Sequence, residues 1–194
     1  MTEKEKMLSQ KLYNSSGKEL FDERCCVKDL CFKLNNTKPS KKAKIAKIAK
    51  KILGKTGKNI EIVAPFWVDY GYNTEVGENF FSNHNLVILD CGKVKIGNNV
   101  FIAPNCGIYT VGHPIDSVRR NSGLEYAYPI TIGNDVWIGA GTQILPGVTI
   151  GNNVVIGSGS VVVKDIPDNS VAVGNPCKVI RAITDEDKNR VWDR

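Results

Sequence analysis

The segment ITIGNDVWIGAGTQILPGVTIGNNVVIGSGSVV, residues 130–162, decides the fold. An aliphatic residue recurs there at every sixth position: Ile132, Ile138, Ile144, Ile150, Ile156 and Val162. Two residues upstream runs a second register, Ile130, Val136, Thr142, Val148, Val154 and Ser160. Glycine follows the first register at Gly133, Gly139, Gly151 and Gly157, and Asn-Asp or Asn-Asn comes next at 134–135 and 152–153. This period is not helical, because a helix does not keep such positions on one face. It fits a short strand and a tight corner, with the aliphatic turned inward and Gly or Asn supplying the positive φ of the corner. Three units close a triangular coil of about 18 residues, and successive coils stack at about 4.8 Å.

Working outward, the same period holds at Ile96, Ile102 and Ile108, with Val94, Val100 and Cys106 as the second register and Gly97 before Asn98-Asn99. The 24 residues from Ile108 to Ile132 are a whole number of hexads, so the coil should continue in phase while ejecting a loop over 112–128. That loop carries His113, Arg119, Arg120 and Glu125, and a polar loop on a rigid scaffold is a usual seat of function. A coil this narrow leaves room inside for aliphatics only, so Trp137 must point outward. Residues 1–57 lack the hexad and read as helices, at 4–13, 18–34 and the lysine-rich 41–53, where Ile45, Ile48, Ile52 and Leu53 share a face. Past Val163 the chain leaves the repeat through turns at 165–167 and 174–176, with a short helix over 184–193. The expected organisation is a helical segment 1–57, a parallel β-helix 58–183 and a C-terminal helix or tail 184–194, mainly β in class.

Hydrophobic residues make up 42% and charged residues 24%, as in an ordinary globular chain of 194 residues. Much of the net charge of +6 sits in the Lys41–Lys51 stretch. It reads as a solvated helix face, with attraction of an anionic partner as the alternative; no nucleic-acid motif accompanies it. No apolar run approaches the roughly 20 residues of a membrane span. Met1-Thr2-Glu3-Lys4 leads into no secretory signal, so a cytoplasmic protein is expected. The six cysteines show no CxxC spacing and read as reduced, small hydrophobes rather than metal ligands.

Residues 59–181 resemble the hexapeptide-repeat acyltransferases, and nearly the whole chain resembles the maltose and galactoside O-acetyltransferases. The matches are Glu78-Asn79-Phe80-Phe81, Asn83, Gly112-His113-Pro114, Arg120-Asn121-Ser122-Gly123, Val136-Trp137-Ile138-Gly139 and Gly174-Asn175-Pro176. Glu5-Lys6-Met7-Leu8 and Lys11-Leu12-Tyr13 resemble that family's N-terminal helical segment. The resemblance implies a left-handed parallel β-helix and a homotrimer with active sites between subunits. It also implies transfer of an acetyl group from acetyl-CoA to a sugar hydroxyl, with no metal required.

By the same resemblance His113 is the general base and Asn83 orients the acceptor hydroxyl. Arg24, Asp69, Phe81, Cys91 and Glu125 contact the acceptor or shape its pocket. Trp137 lines the pantetheine channel, and Ala140, Ser158, Lys164, Lys178 and Arg181 contact acetyl-CoA, the three cations meeting its phosphates. The chemistry is consistent: a sugar hydroxyl is a poor nucleophile until its proton is taken, and histidine titrates near working pH. Backbone N–H groups around Ala140 would meet the developing oxyanion. No cysteine occupies a family nucleophile position, so direct attack in a ternary complex is expected. His84, the other histidine, has no motif role and belongs on the surface or in a cleft wall. Two departures concern the acceptor: Cys91 stands where galactoside enzymes carry an acid, and Asn14 or Ser15 where the family has its N-terminal acid. Other hydroxyl acceptors (a polysaccharide, an oligosaccharide signal, an antibiotic) are therefore the alternative. Outside that chemistry stand a non-catalytic trimeric scaffold and a carbonic anhydrase on the same coil, which would need three histidines.

Overall fold

The computed structural model describes residues 1–189. Its body is a parallel β-solenoid with three faces. The first face stacks Ile60–Ile62, Phe80–Ser82, Phe101–Ile102, Trp137–Ile138, Val154–Ile156 and Ser170–Val173. The second stacks Phe66–Val68, Leu86–Leu89, Gly107–Tyr109, Gln143–Ile144 and Val161–Val162. The third stacks Lys55–Thr56, Thr74–Val76, Val94–Ile96, Ile130–Ile132 and Thr149–Ile150. The registers align the repeat with itself: Ile108 lies opposite Ile88 and Ile144, and Ile138 opposite Ile102 and Ile156. Both aliphatic registers are buried in one continuous core. Its polar members are satisfied locally, Thr142 and Ser160 donating to the Gly139 and Gly157 carbonyls.

Two details of the corners differ from the sequence reading. Positive φ belongs to the second residue of each polar pair, at Asn79, Asn99, Asp135 and Asn153, with φ of 53–57°, and to Gly141, Gly147 and Gly159 at other corners. The glycine that follows the aliphatic is needed instead for close approach: a Cβ on Gly133 would lie 2.6 Å from the Gly151 carbonyl oxygen. The interior also admits aromatics. Phe66 and Phe80 are buried at the N-terminal end, where helices rather than another coil complete the core.

Coil length is not uniform. Glu61, Phe81 and Phe101 pair in succession at a spacing of 20 residues, whereas Trp137 and Val155 pair at 18. The two extra residues fall each time between the second and third faces, at 69–73 and 90–93. On the next coil the same corner ejects the loop that follows Tyr109 and ends before Ile130. Three successive coils thus depart from the hexad at one corner.

The ejected loop is structured. Val111–Gly112 pairs antiparallel with Leu124–Ala127, which pairs in turn with Tyr13–Asn14, giving a three-stranded sheet. Between its strands sits a short helix, Ser117–Asn121, capped by the Asp116 side chain. The N-terminal segment forms helices α1 (Glu3–Leu8), α2 (Lys18–Asn35) and α3 (Lys42–Ile52). Helix α1 opens with a capping box between Thr2 and Glu5. It stops well short of the expected residue 13, because Gln10 adopts φ 59° and the chain then extends into Tyr13–Asn14. Cys31 and Leu34 of α2 and Ile45, Ile48, Ala49 and Ile52 of α3 join the solenoid core, while the lysines of α3 face outward.

The repeat continues beyond Val163, contrary to the sequence reading. Ile166 bridges Ile150, and Ser170–Val173 stacks in parallel on Val154–Ile156. The pairing of Val154 with Ser170 spans 16 residues, so this last coil is shortened and its period is no longer visible as hexads. Lys178–Ala182 then folds back antiparallel and closes the sheet edge. A 3-10 turn at Asp185–Asn189 occupies part of the expected 184–193 helix, and the remainder lies outside the described residues. No helix among the described residues is long and apolar enough to cross a membrane.

Candidate active site

The corner where the coils depart from the hexad holds a cleft of about 450 Å³. Asp69 and Cys91 come from the two lengthened corners, His113 and Glu125 from the ejected loop, and Ser15, Arg24 and Lys28 from the N-terminal segment. The loop sheet sets the orientation of His113. Its Nδ1 lies 3.1 Å from the Leu124 carbonyl oxygen. That oxygen only accepts, so Nδ1 carries a proton, and in the neutral ring Nε2 is then the acceptor. The ring is exposed, on the cleft wall.

Around it the cleft is polar. Glu125 accepts hydrogen bonds from the Tyr13 hydroxyl at 2.6 Å and the Ser15 hydroxyl at 2.8 Å. Arg24 donates to the Tyr70 hydroxyl and the Ser15 carbonyl. Asp69 lies 3.6 Å from the Lys28 ammonium, and burial nevertheless raises its carboxyl above the usual range. Beneath these residues Asp90 is fully buried, accepting from the Tyr70 backbone N–H at 2.8 Å and the Thr74 hydroxyl at 2.9 Å; desolvation pushes it up to about 6. Cys91 is buried, and loss of solvent pushes its thiol up to about 12, which keeps it neutral and unreactive at ordinary pH.

Phe81, Asn83 and Trp137 are not in this cleft. They share a second one of about 480 Å³ with Phe101, Ile102 and Ala103, on the outer side of the first face. Trp137 is 54% exposed, between Phe101 and Val155 in the register. Asn83 sits at a corner: its Oδ1 accepts from the His84 backbone N–H at 2.8 Å, which leaves the amide group as its outward donor. His84 lies beyond, exposed, its Nδ1 against the Ala64 carbonyl, on the wall of another groove. That groove, about 700 Å³ between α3 and residues 60–65, contains none of the site residues expected from sequence.

The residues expected to meet acetyl-CoA lie in three places: Ala140 and Ser158 at the corner after the first face, Lys164 at the corner between the second and third faces, and Lys178 and Arg181 on the closing strand. Ala140 and Ser158 stack on consecutive coils at the corner after the first face, the Gly159 N–H donating to the Ala140 carbonyl. Gly139 and Gly141 donate their own N–H groups to Ile156 and Pro104. Lys164 and Lys178 are exposed. Arg181 forms a bidentate pair with Asp187 at 2.7 and 2.9 Å, so its guanidinium already holds a carboxylate. Among the described residues no group of three or more His, Cys, Asp or Glu is arranged to hold a metal ion.

Sequence reasoning missed Lys28, Ser15 as a partner of Glu125, and the buried Asp90. The slips of two residues at 69–73 and 90–93 were the signal that marks this corner.

Two family models match separate segments of the chain. Residues 6–57 match the maltose acetyltransferase hexapeptide capping motif, and residues 129–164 match the bacterial transferase hexapeptide model of six repeats. A maltose O-acetyltransferase from Clostridium difficile 630 is 53% identical, with a TM-score of 0.94 over 95% of this chain and 99% of that one. A galactoside acetyltransferase in complex with coenzyme A is 43% identical, with a TM-score of 0.96 over 100% of this chain and 96% of that one. A hexapeptide-repeat acetyltransferase from Vibrio cholerae O1 biovar eltor, complexed with acetyl-CoA, is 31% identical, with a TM-score of 0.87 over 95% and 100%.

Proposed function

Because this chain belongs to the maltose and galactoside O-acetyltransferase family of hexapeptide-repeat acetyltransferases, we propose that it transfers the acetyl group of acetyl-CoA to a sugar hydroxyl, with His113 as general base. The observation that carries this reading is the Nδ1–Leu124 hydrogen bond, which in the neutral ring makes Nε2 the acceptor on the wall of a polar cleft of sugar size. Asp69, Arg24, Lys28 and Glu125 surround it with donors and acceptors suited to hydroxyl groups.

In the reaction His113 Nε2 removes the proton of the acceptor hydroxyl as its oxygen attacks the thioester carbonyl. The imidazolium keeps its Nδ1–H on Leu124 and returns the Nε2 proton to the departing sulfur. The Ala140 N–H serves the carbonyl oxygen as negative charge develops. The neutral Cys91 has no part as a nucleophile. On this reading acetyl-CoA lies against the exposed Trp137 and the small Ala140 and Ser158 corners, with Lys164 and Lys178 as cations for its phosphates and Arg181 joining once released from Asp187.

Asn83 lies in the other cleft, and the two clefts have no lining residue in common. A complete site therefore takes His113 from one copy and Asn83 with Trp137 from its neighbour, as in a homotrimer. All six cysteines are free, which fits a reducing cytoplasm. The test follows free thiol release from acetyl-CoA over a panel of sugars. Sugar-dependent release that falls at least 100-fold in His113→Ala is expected. Undiminished activity in that variant overturns the base assignment.

A further inference from the structure

The N-terminal segment does more than cover the end of the solenoid. Its strand Tyr13–Asn14 is the outer member of the three-stranded sheet whose centre, Leu124–Ala127, carries the carbonyl that holds His113. Tyr13 is fully buried and aims its hydroxyl at Glu125, the residue after Leu124. Ser15 bonds the other carboxylate oxygen of Glu125, and the Asn14 side-chain amide bonds the Ser122 carbonyl at 3.2 Å. The Asn14 N–H in turn reaches Glu3 of α1. The contacts of Tyr13, Ser15 and the Asn14 side chain fall on residues 122–125, the stretch that fixes where the Leu124 carbonyl points.

We propose that Tyr13 and Glu125 form a positioning strut: the N-terminal strand fixes the Leu124 carbonyl and thereby the tautomer and orientation of His113. The catalytic half of this statement rests on His113 being the base; the structural half does not. Glu125 then has a positioning role besides lining the acceptor cleft, each of its oxygens accepting one hydroxyl of the N-terminal segment. Loss of the strut leaves the edge of the loop sheet held by its backbone pairing and the Asn14–Ser122 contact. The imidazole is exposed, so water then competes for Nδ1 and the ring samples both tautomers and other rotamers.

The chain contains only two histidines, which makes the ring directly observable. In long-range 1H–15N spectra of the full-length protein, with His113→Ala assigning the signals, wild-type His113 should show the Nδ1–H tautomer. Tyr13→Phe keeps the buried ring and removes only the hydroxyl; Glu125→Gln keeps the side chain's shape and weakens both bonds. Each should shift His113 toward a mixed tautomer and lower kcat at least tenfold, while KM for acetyl-CoA changes less than twofold. Unchanged His113 nitrogen shifts and unchanged kcat in both folded variants would overturn the strut. If the tautomer shifts but His113→Ala retains activity, the base assignment fails and the strut stands. Should Tyr13→Phe fail to fold, Glu125→Gln and Ser15→Ala give the same readout, and wild-type spectra in them refute the proposal.

Discussion

Asp90 is a carboxylate that the fold holds at a cost, and the cost depends on pH in a direction the structure fixes. It has no solvent contact, and its two bonds, from the Tyr70 N–H and the Thr74 hydroxyl, do not replace the lost hydration. Asp69 nearby adds a like charge. A rise from the ordinary 3.8 to about 6 corresponds to about 3 kcal/mol, at 1.36 kcal/mol per tenfold change in proton affinity. Below pH 4 both folded and unfolded states are protonated and nothing is lost. Between about pH 4 and 6 the unfolded chain releases its proton first, so the folded state binds more protons and stability falls with rising pH. Above pH 6 the loss is complete. Asp90→Asn keeps the shape: its carbonyl accepts from Tyr70, its amide donates to Thr74, and the Thr74 hydroxyl rotates to accept. The variant should match wild type near pH 4 and exceed it by about 2–3 kcal/mol at pH 8. Urea unfolding at one protein concentration, at both pH values, measures the difference while other titrating groups cancel. A difference that stays flat with pH, or a variant weaker at pH 8 than at pH 4, would refute the reasoning.

Two further outcomes test other parts of the structure. Gly133→Ala drives a Cβ to 2.6 Å from a backbone oxygen of the next coil and should cost about 3 kcal/mol, whereas Gly159→Ala meets open space and strains only a φ of 72°, costing about 1 kcal/mol. Equal melting temperatures for the two would deny that the corner glycines serve close stacking. Asp187→Ala releases the Arg181 guanidinium, so KM for acetyl-CoA should fall about two- to fivefold, the scale of an exposed ion pair. An unchanged KM would remove Arg181 from the phosphate contacts.

The solenoid was legible because a hexad is a local rule that each coil repeats on itself. Ile132 to Val162 needs no knowledge of distant residues to be read as a buried column. Where a tertiary contact replaces the next coil, that rule fails. Phe66 and Phe80 enter the core because α2 and α3 close its end, and no spacing in residues 60–82 announces that cover. The last coil was lost for a similar reason: a shortening by two residues erases the period while the backbone pairing of Val154 with Ser170 persists. Helix α1 ended early because a single residue, Gln10, left the helical region, a choice that composition does not dictate.

The candidate site was legible in the sequence as a set of expected residues but not as an arrangement. His113 and Asn83 were both named from motif resemblance, yet sequence gives no sign that they occupy separate clefts. The geometry makes the separation inescapable. Asn83 lies at the corner before the strand Leu86–Leu89 and Cys91 at the corner after it, and four residues of strand alone span about 13 Å. A single acceptor hydroxyl, which on the proposed reading touches both His113 and the Asn83 amide within hydrogen-bond reach, cannot bridge that distance on one chain. Either Asn83 is only the corner residue its bond to the His84 N–H makes it, or a second copy supplies it. The exposed Trp137 and Phe101 beside Asn83 favour the second, since such a patch next to a polar donor is what a neighbouring subunit would cover.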